Sequence, residues 1–150
     1  MQAHVLPIVI QQARQSRDAQ SARTVAALTA VQQAESTLRQ LEDFRIDYLR
    51  RSPAASGETL QIERLLDFQR FVTRLDEAIA IQQNEAALRR HRQFESQQQL
   101  AEAQRRLLAF ETLATRQAAE REHSARRREQ RDTDEFAARA QHRPPGHGAT

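Results

Sequence analysis

The chain contains no cysteine and no lysine, and its few glycines and prolines sit in narrow places. Without cysteine there is no disulfide and no thiolate metal site. Without lysine there is no Walker motif, and no Gly-rich phosphate loop is present either. No apolar run approaches the roughly 20 residues that span a bilayer, so no integral membrane segment is expected. The opening stretch Val5-Leu6-Pro7-Ile8-Val9-Ile10 is apolar but short, and it lacks the basic region and small-residue cleavage site of a signal peptide. These absences read as a soluble, intracellular protein. Large apolar side chains are also scarce: 33 among 150 residues, beside 25 alanines. That is thin for a globular core and enough for a seam between two helices.

Glycine and proline interrupt helices most strongly, and both are missing from residues 8–52 and 58–143. Between the two stretches lies Ser52-Pro53-Ala54-Ala55-Ser56-Gly57. Ala, Gln, Arg, Glu and Leu, all good helix formers, dominate the rest. The expected fold is all-α: one antiparallel coiled-coil hairpin over residues 1–143. Helix one covers about 11–51, the turn 52–57, and helix two about 58–142. Residues 1–10 read as an irregular or weakly helical lead, and residues 144–150 as a disordered tail.

A spacing of three and four residues runs through Ala27, Val31, Ala34, Leu38, Leu41, Arg45 and Tyr48. In helix two it runs through Leu65, Phe68, Val72, Leu75, Ile79, Gln82 and Ala86. It falters at Arg89, Gln93 and Ser96, then resumes in phase at Leu100, Ala103, Leu107, Phe110 and Ala114. A sustained 3.5-residue period predicts a left-handed coiled coil, with a weakly packed polar middle. Centring the turn near residue 55 sets Leu38 near Val72, Val31 near Ile79 and Leu41 near Phe68. Helix two then runs about 40 residues, on the order of 60 Å, beyond the start of helix one. The apolar lead covers the beginning of this overhang, around residues 100–107.

Chemistry-bearing groups are dispersed. His4, His91, His123, His142 and His147 show no i, i+4 metal pair and no HExxH pattern. Asp76 and Glu77 sit on a charged helix face, whereas acid–base work needs a cleft. No enzyme, metal or cofactor is expected. All 23 basic residues are arginine, so a net charge of only +3 accompanies a pI of about 10.7. The densest basic cluster is Arg121, Arg126, Arg127, Arg128 and Arg131. Across residues 116–143, however, eight arginines interleave with six acids. Pairs such as Glu122 and Arg126 account for these charges within the helix, and nucleic acid is not an expected partner.

Phe71 lies one position before the seam residue Val72, with Ala78 on the same flank, while Gln82 occupies a seam position where an apolar residue packs better. The surface from Phe71 through Leu75 and Ala78 to Gln82 is therefore either a wide seam or a docking patch.

Three segments together resemble the flagellar export protein FliJ family. The first is Gln40-Leu41-Glu42-Asp43-Phe44-Arg45-Ile46-Asp47-Tyr48. The second and most specific is Asp67-Phe68-Gln69-Arg70-Phe71-Val72-Thr73-Arg74-Leu75-Asp76-Glu77-Ala78-Ile79. The third is Asp134-Glu135-Phe136-Ala137-Ala138-Arg139. Their order and separations match, so the resemblance covers nearly the whole chain.

The resemblance implies an antiparallel helical hairpin acting as a stalk in the flagellar type III export apparatus. It implies a cytoplasmic protein, peripherally associated with the inner membrane at the flagellar base. The implied partners are the hexameric export ATPase, the export-gate platform protein and export substrate chaperones. The platform-binding face maps onto Phe71, Leu75, Ala78 and Gln82. The ATPase-ring end maps onto Arg121, Arg126, Arg127, Arg128, Arg131 and Phe136. Gln82 departs from a histidine seen in some relatives. The stalk of a virulence-type secretion system and a generic coiled-coil spacer share the same physical pattern.

Overall fold

Helix α1 spans Leu6–Arg50 and α2 spans Ile62–Gln141, 45 and 80 residues respectively. The computed structural model describes residues 4–52, 61–143 and 145–146. Among these there is no strand. Most of the expected turn, and residues 144 and 147–150 of the expected tail, lie outside the described residues.

α1 begins at Leu6 rather than at about residue 11. Pro7 does not delay it, because a first-turn proline lacks only an N–H that has no intrahelical acceptor in any case. At its other end Ser52 N donates to Leu49 O at 3.1 Å, a tightened closing turn. α2 starts at Ile62, four residues later than expected, with Gln61 O accepting from Arg64 N at 3.1 Å. Glu63 in its first turn and Arg139 in its last are placed favourably for the helix dipole.

The residues group into two compact units: Met1–Gln12 with Arg106–Thr150, and Ala13–Arg105. In the second unit the helices pack antiparallel, Tyr48 stacking on Phe68 near one end and Gln20 meeting Ser96 near the other. In both units, every seam position named above, from Ala27 to Tyr48 and from Leu65 to Ala114, is buried or half-buried. Val31, Ala34, Leu75, Ile79, Ala86 and Leu107 are the buried aliphatic residues among these positions.

The register differs from the expected one by about one heptad. Phe68 faces Tyr48 rather than Leu41, their ring centroids 5.0 Å apart. Gln82 donates to Ala34 O at 3.1 Å. One turn along from that bond lie Val31 and Ala86, so Val31 is not opposite Ile79, nor Leu38 opposite Val72. A 3.5-residue repeat is unchanged by sliding seven residues, so the apolar pattern is satisfied equally in either register. The start of α1 is likewise further along α2 than residues 100–107. In the first unit Leu6, Pro7 and Ile10 line a groove with Ala114, Gln117, Ala118 and Arg121.

The polar middle of the seam is hydrogen-bonded rather than weakly packed. Gln20 and Ser96 are buried. Gln20 Nε2 donates to Ser96 Oγ at 3.0 Å, and Thr24 Oγ1 lies 2.9 Å from the same oxygen. Arg89 Nη1 donates to Ala30 O at 3.1 Å. Gln82, Arg89 and Ser96 thus recur every seven residues and each bonds across the seam. No buried side-chain nitrogen or oxygen among the described residues lacks a partner. Ser96→Ala removes the hydroxyl that Gln20 and Thr24 share, at an expected cost of about 1–3 kcal/mol. The double variant Gln20→Leu with Ser96→Ala is expected to recover most of that loss. Urea denaturation followed by circular dichroism measures both, and additive losses would refute the pairing.

Candidate partner-binding surfaces

The first surface surrounds Phe71 and is built by the hairpin register. Because α1 and α2 run antiparallel, the last turns of α1 meet the first turns of α2. Phe71, on the flank of α2, then reaches the aromatic residues of α1. Its ring lies 4.4 Å from Tyr48 and 6.1 Å from Phe44, centroid to centroid. Tyr48 in turn stacks on Phe68. Such edge and offset contacts contribute about 0.5–1.5 kcal/mol each beyond area burial. Phe44 is 51% exposed and Phe71 39%, so the cluster is held together while showing apolar surface. Arg45 Nε donates to Asp76 Oδ1 at 2.5 Å close by. That ion pair is partly exposed, which limits its contribution to about 0–1 kcal/mol.

The four residues of the expected platform face divide into two pairs. Phe71 and half-buried Ala78 lie on the flank. Leu75, 7% exposed, belongs to the seam. Half-buried Gln82 also points inward, its amide committed to Ala34 O. The polar character of Gln82 is satisfied within the hairpin. Sequence reasoning missed Phe44 as a member of this surface. It also missed Ile81 and Leu88, 69% and 44% exposed on the same α2 segment. The signal for Phe44 was an aromatic on the α1 flank opposite Phe71, legible only with the correct register.

The second surface is the end of α2. Every described residue from 118 to 146 is exposed. The seam phase that carries Leu107 and Ala114 continues here as Arg121, Arg128 and Arg131. An apolar stripe gives way to guanidinium groups past the point on α2 where α1 begins. Arg126, Arg127 and Phe136 occupy other sides of the same stretch, Phe136 being 76% exposed. Arg126 Nη2 bonds Glu122 Oε1 at 2.6 Å, the expected i, i+4 pair. Gln130 donates to Asp134 Oδ1 at 3.1 Å. These local bonds support an exposed helix and leave Arg127, Arg128 and Arg131 with no ion-pair partner among the described residues.

Neither surface holds a catalytic constellation, and no group of three or more His, Cys, Asp or Glu among the described residues could hold a metal ion. Among the described residues, no helix is long and apolar enough to cross a membrane.

A family model described as Flagellar FliJ protein matches residues 2–146. The chain belongs to the FliJ family. No match was found among curated proteins or among solved structures. FliJ proteins are non-enzymatic components of the flagellar export apparatus.

Proposed function

We propose that the chain is the stalk and coupling component of flagellar type III export. In this reading the end of α2 enters the hexameric export ATPase, and the Phe71 flank meets the export-gate platform protein. The protein acts in the cytoplasm, peripherally associated with the inner membrane, and assists the traffic of substrate chaperones. The observation that carries the reading is the uncovered α2 end, where every described residue from 118 to 146 is exposed and the seam phase turns from aliphatic to arginine. Such a surface is stable in water and rich in groups that form strong bonds with carboxylates. Arg121, Arg126, Arg127, Arg128, Arg131 and Phe136 are its contact residues.

At the platform face Phe71 and Ala78 supply the exposed area. Leu75 and Gln82 act by holding the helix pair in register beneath them. A half-exposed aromatic cluster fixed by its own ring contacts loses little side-chain freedom on docking, which favours binding.

The test is a pull-down of the cognate export ATPase by the full chain, followed by steady-state ATP hydrolysis. The ATPase is expected to be retained and its hydrolysis rate to rise. An ATPase that neither binds nor changes rate at stoichiometric chain would sink the reading.

A further inference from the structure

The groove in the first unit is formed where α1 begins against α2. Its volume is about 120 Å³. From α1 come Leu6, Pro7 and Ile10, and from α2 come Ala114, Gln117, Ala118 and Arg121. Leu6 is 4% exposed and forms the floor, while Ile10 and Ala114 are half-buried walls. The space exists because Ala114 and Ala118, one turn apart on α2, are too small to fill the gap beside the α1 start. A cavity of about 150 Å³ holds a benzene ring, so this groove has room for one branched aliphatic side chain.

Its chemistry is one-sided. Among the described residues Arg121 is the only charged one in the lining, and it has no ion-pair partner among them. No described acid lines the groove; Glu120 and Glu122 project about 100° to either side of Arg121 around the helix. An apolar floor with an unpaired guanidinium at the rim is complementary to an aliphatic side chain carried next to a carboxylate.

We infer that this groove is a specific docking site for a partner segment that presents an aliphatic residue flanked by Asp or Glu. Resting on the function proposed above, the segment belongs to the export ATPase. The site adds Leu6, Ile10, Ala114 and Ala118 to the arginines of the α2 end. It gives the start of α1 a part in binding as well as in packing. The apolar contact anchors the segment and Arg121 orients it. A charge pair alone would slide along the arginine-rich helix, whereas a filled groove sets one position.

Two measurements test this. In the first, hexanoate is titrated into the full chain and followed by methyl NMR. The expected result is saturable shifts at Leu6, Ile10 and Ala114, abolished by Ala114→Leu and by Arg121→Glu. Hexanol, without the carboxylate, is expected to bind several-fold more weakly. In the second, affinity for the cognate ATPase is measured with the same variants. A lost buried aliphatic contact corresponds to about tenfold or more in affinity, so Ala114→Leu and Arg121→Glu should each weaken binding by at least that factor. Arg121→Lys should retain most of it. Circular dichroism and melting of each variant guard against misfolding; leucine at an alanine position favours the helix nearly as well.

If hexanoate causes no shifts, or if Ala114→Leu binds the ATPase as tightly as the native chain, the groove is not a docking site. In the second case the ATPase reading stands without it. If hexanoate binds as expected but the native chain does not bind the ATPase, the groove stands and the assignment of its partner falls.

Discussion

Leu75→Ala lowers the stability of the hairpin by about 2–4 kcal/mol, whereas Phe71→Ala, four residues away, costs about half as much or less. Leu75 is 7% exposed in the seam beside Val72 and Ile79. Removing its side chain takes away a transfer term and leaves a cavity that a helix pair closes only in part. Phe71 is 39% exposed, and its ring contacts with Tyr48 and Phe44 lie at the edge of the seam. Thermal and urea unfolding followed at the helical circular-dichroism band measure both. Equal losses would place Phe71 as deeply in the core as Leu75 and remove it as a docking residue. The contrast bears on function. Weakened platform binding in Leu75→Ala is expected to follow from a loosened hairpin. The same effect in Phe71→Ala, at nearly unchanged helicity, reports the surface itself. Platform binding should therefore be read from Phe71→Ala, and unchanged affinity there would count against the Phe71 flank as the gate contact.

Deleting residues 125–150 is expected to leave the melting temperature of the remaining chain nearly unchanged while markedly weakening ATPase capture. Every described residue in that stretch is exposed, so its removal uncovers no core. Exposed positions away from caps and packing usually change stability by no more than about 0.5 kcal/mol. The Arg126–Glu122 pair lost with it is exposed and of the i, i+4 type, contributing about 0.3–0.5 kcal/mol to its own helix turn. Total helicity falls only by the deleted turns. The deletion also removes Arg126, Arg127, Arg128, Arg131 and Phe136, five of the six residues proposed to enter the ring. Full retention of ATPase binding would move the contact elsewhere. A large drop in melting temperature would mean that the α2 end supports the fold.

These two expectations rest on parts of the chain that differ in how legible they were. The seam was readable residue by residue, since each position marked by the 3.5-residue spacing is buried or half-buried. Helix existence was equally plain from the missing glycine and proline. The start of α1 at Leu6, inside the expected irregular lead, is less legible, because a proline in the first turn costs no hydrogen bond. The exposed end of α2, with its six named residues, followed from the unequal helix lengths. Of the residues expected at the platform face, Phe71 and Ala78 lie on the flank, while Leu75 and Gln82 face the partner helix. The polar middle was read as a weakness because Gln20 and Thr24 were not matched to Ser96.

Sequence alone determined that this protein is two helices with a periodic seam, apolar except at its polar middle, and an arginine-rich end that the seam does not cover. Those properties are local or periodic, and each residue carries them wherever its partner lies. Only the tertiary structure decided which heptad meets which. Sliding the helices by seven residues leaves an apolar repeat intact, so the choice falls to contacts that do not repeat. Those are the stacking of Tyr48 on Phe68, the bond from Gln82 to Ala34, and the buried meeting of Gln20 with Ser96. The same choice brought Phe44 beside Phe71 and left a groove between the start of α1 and Arg121.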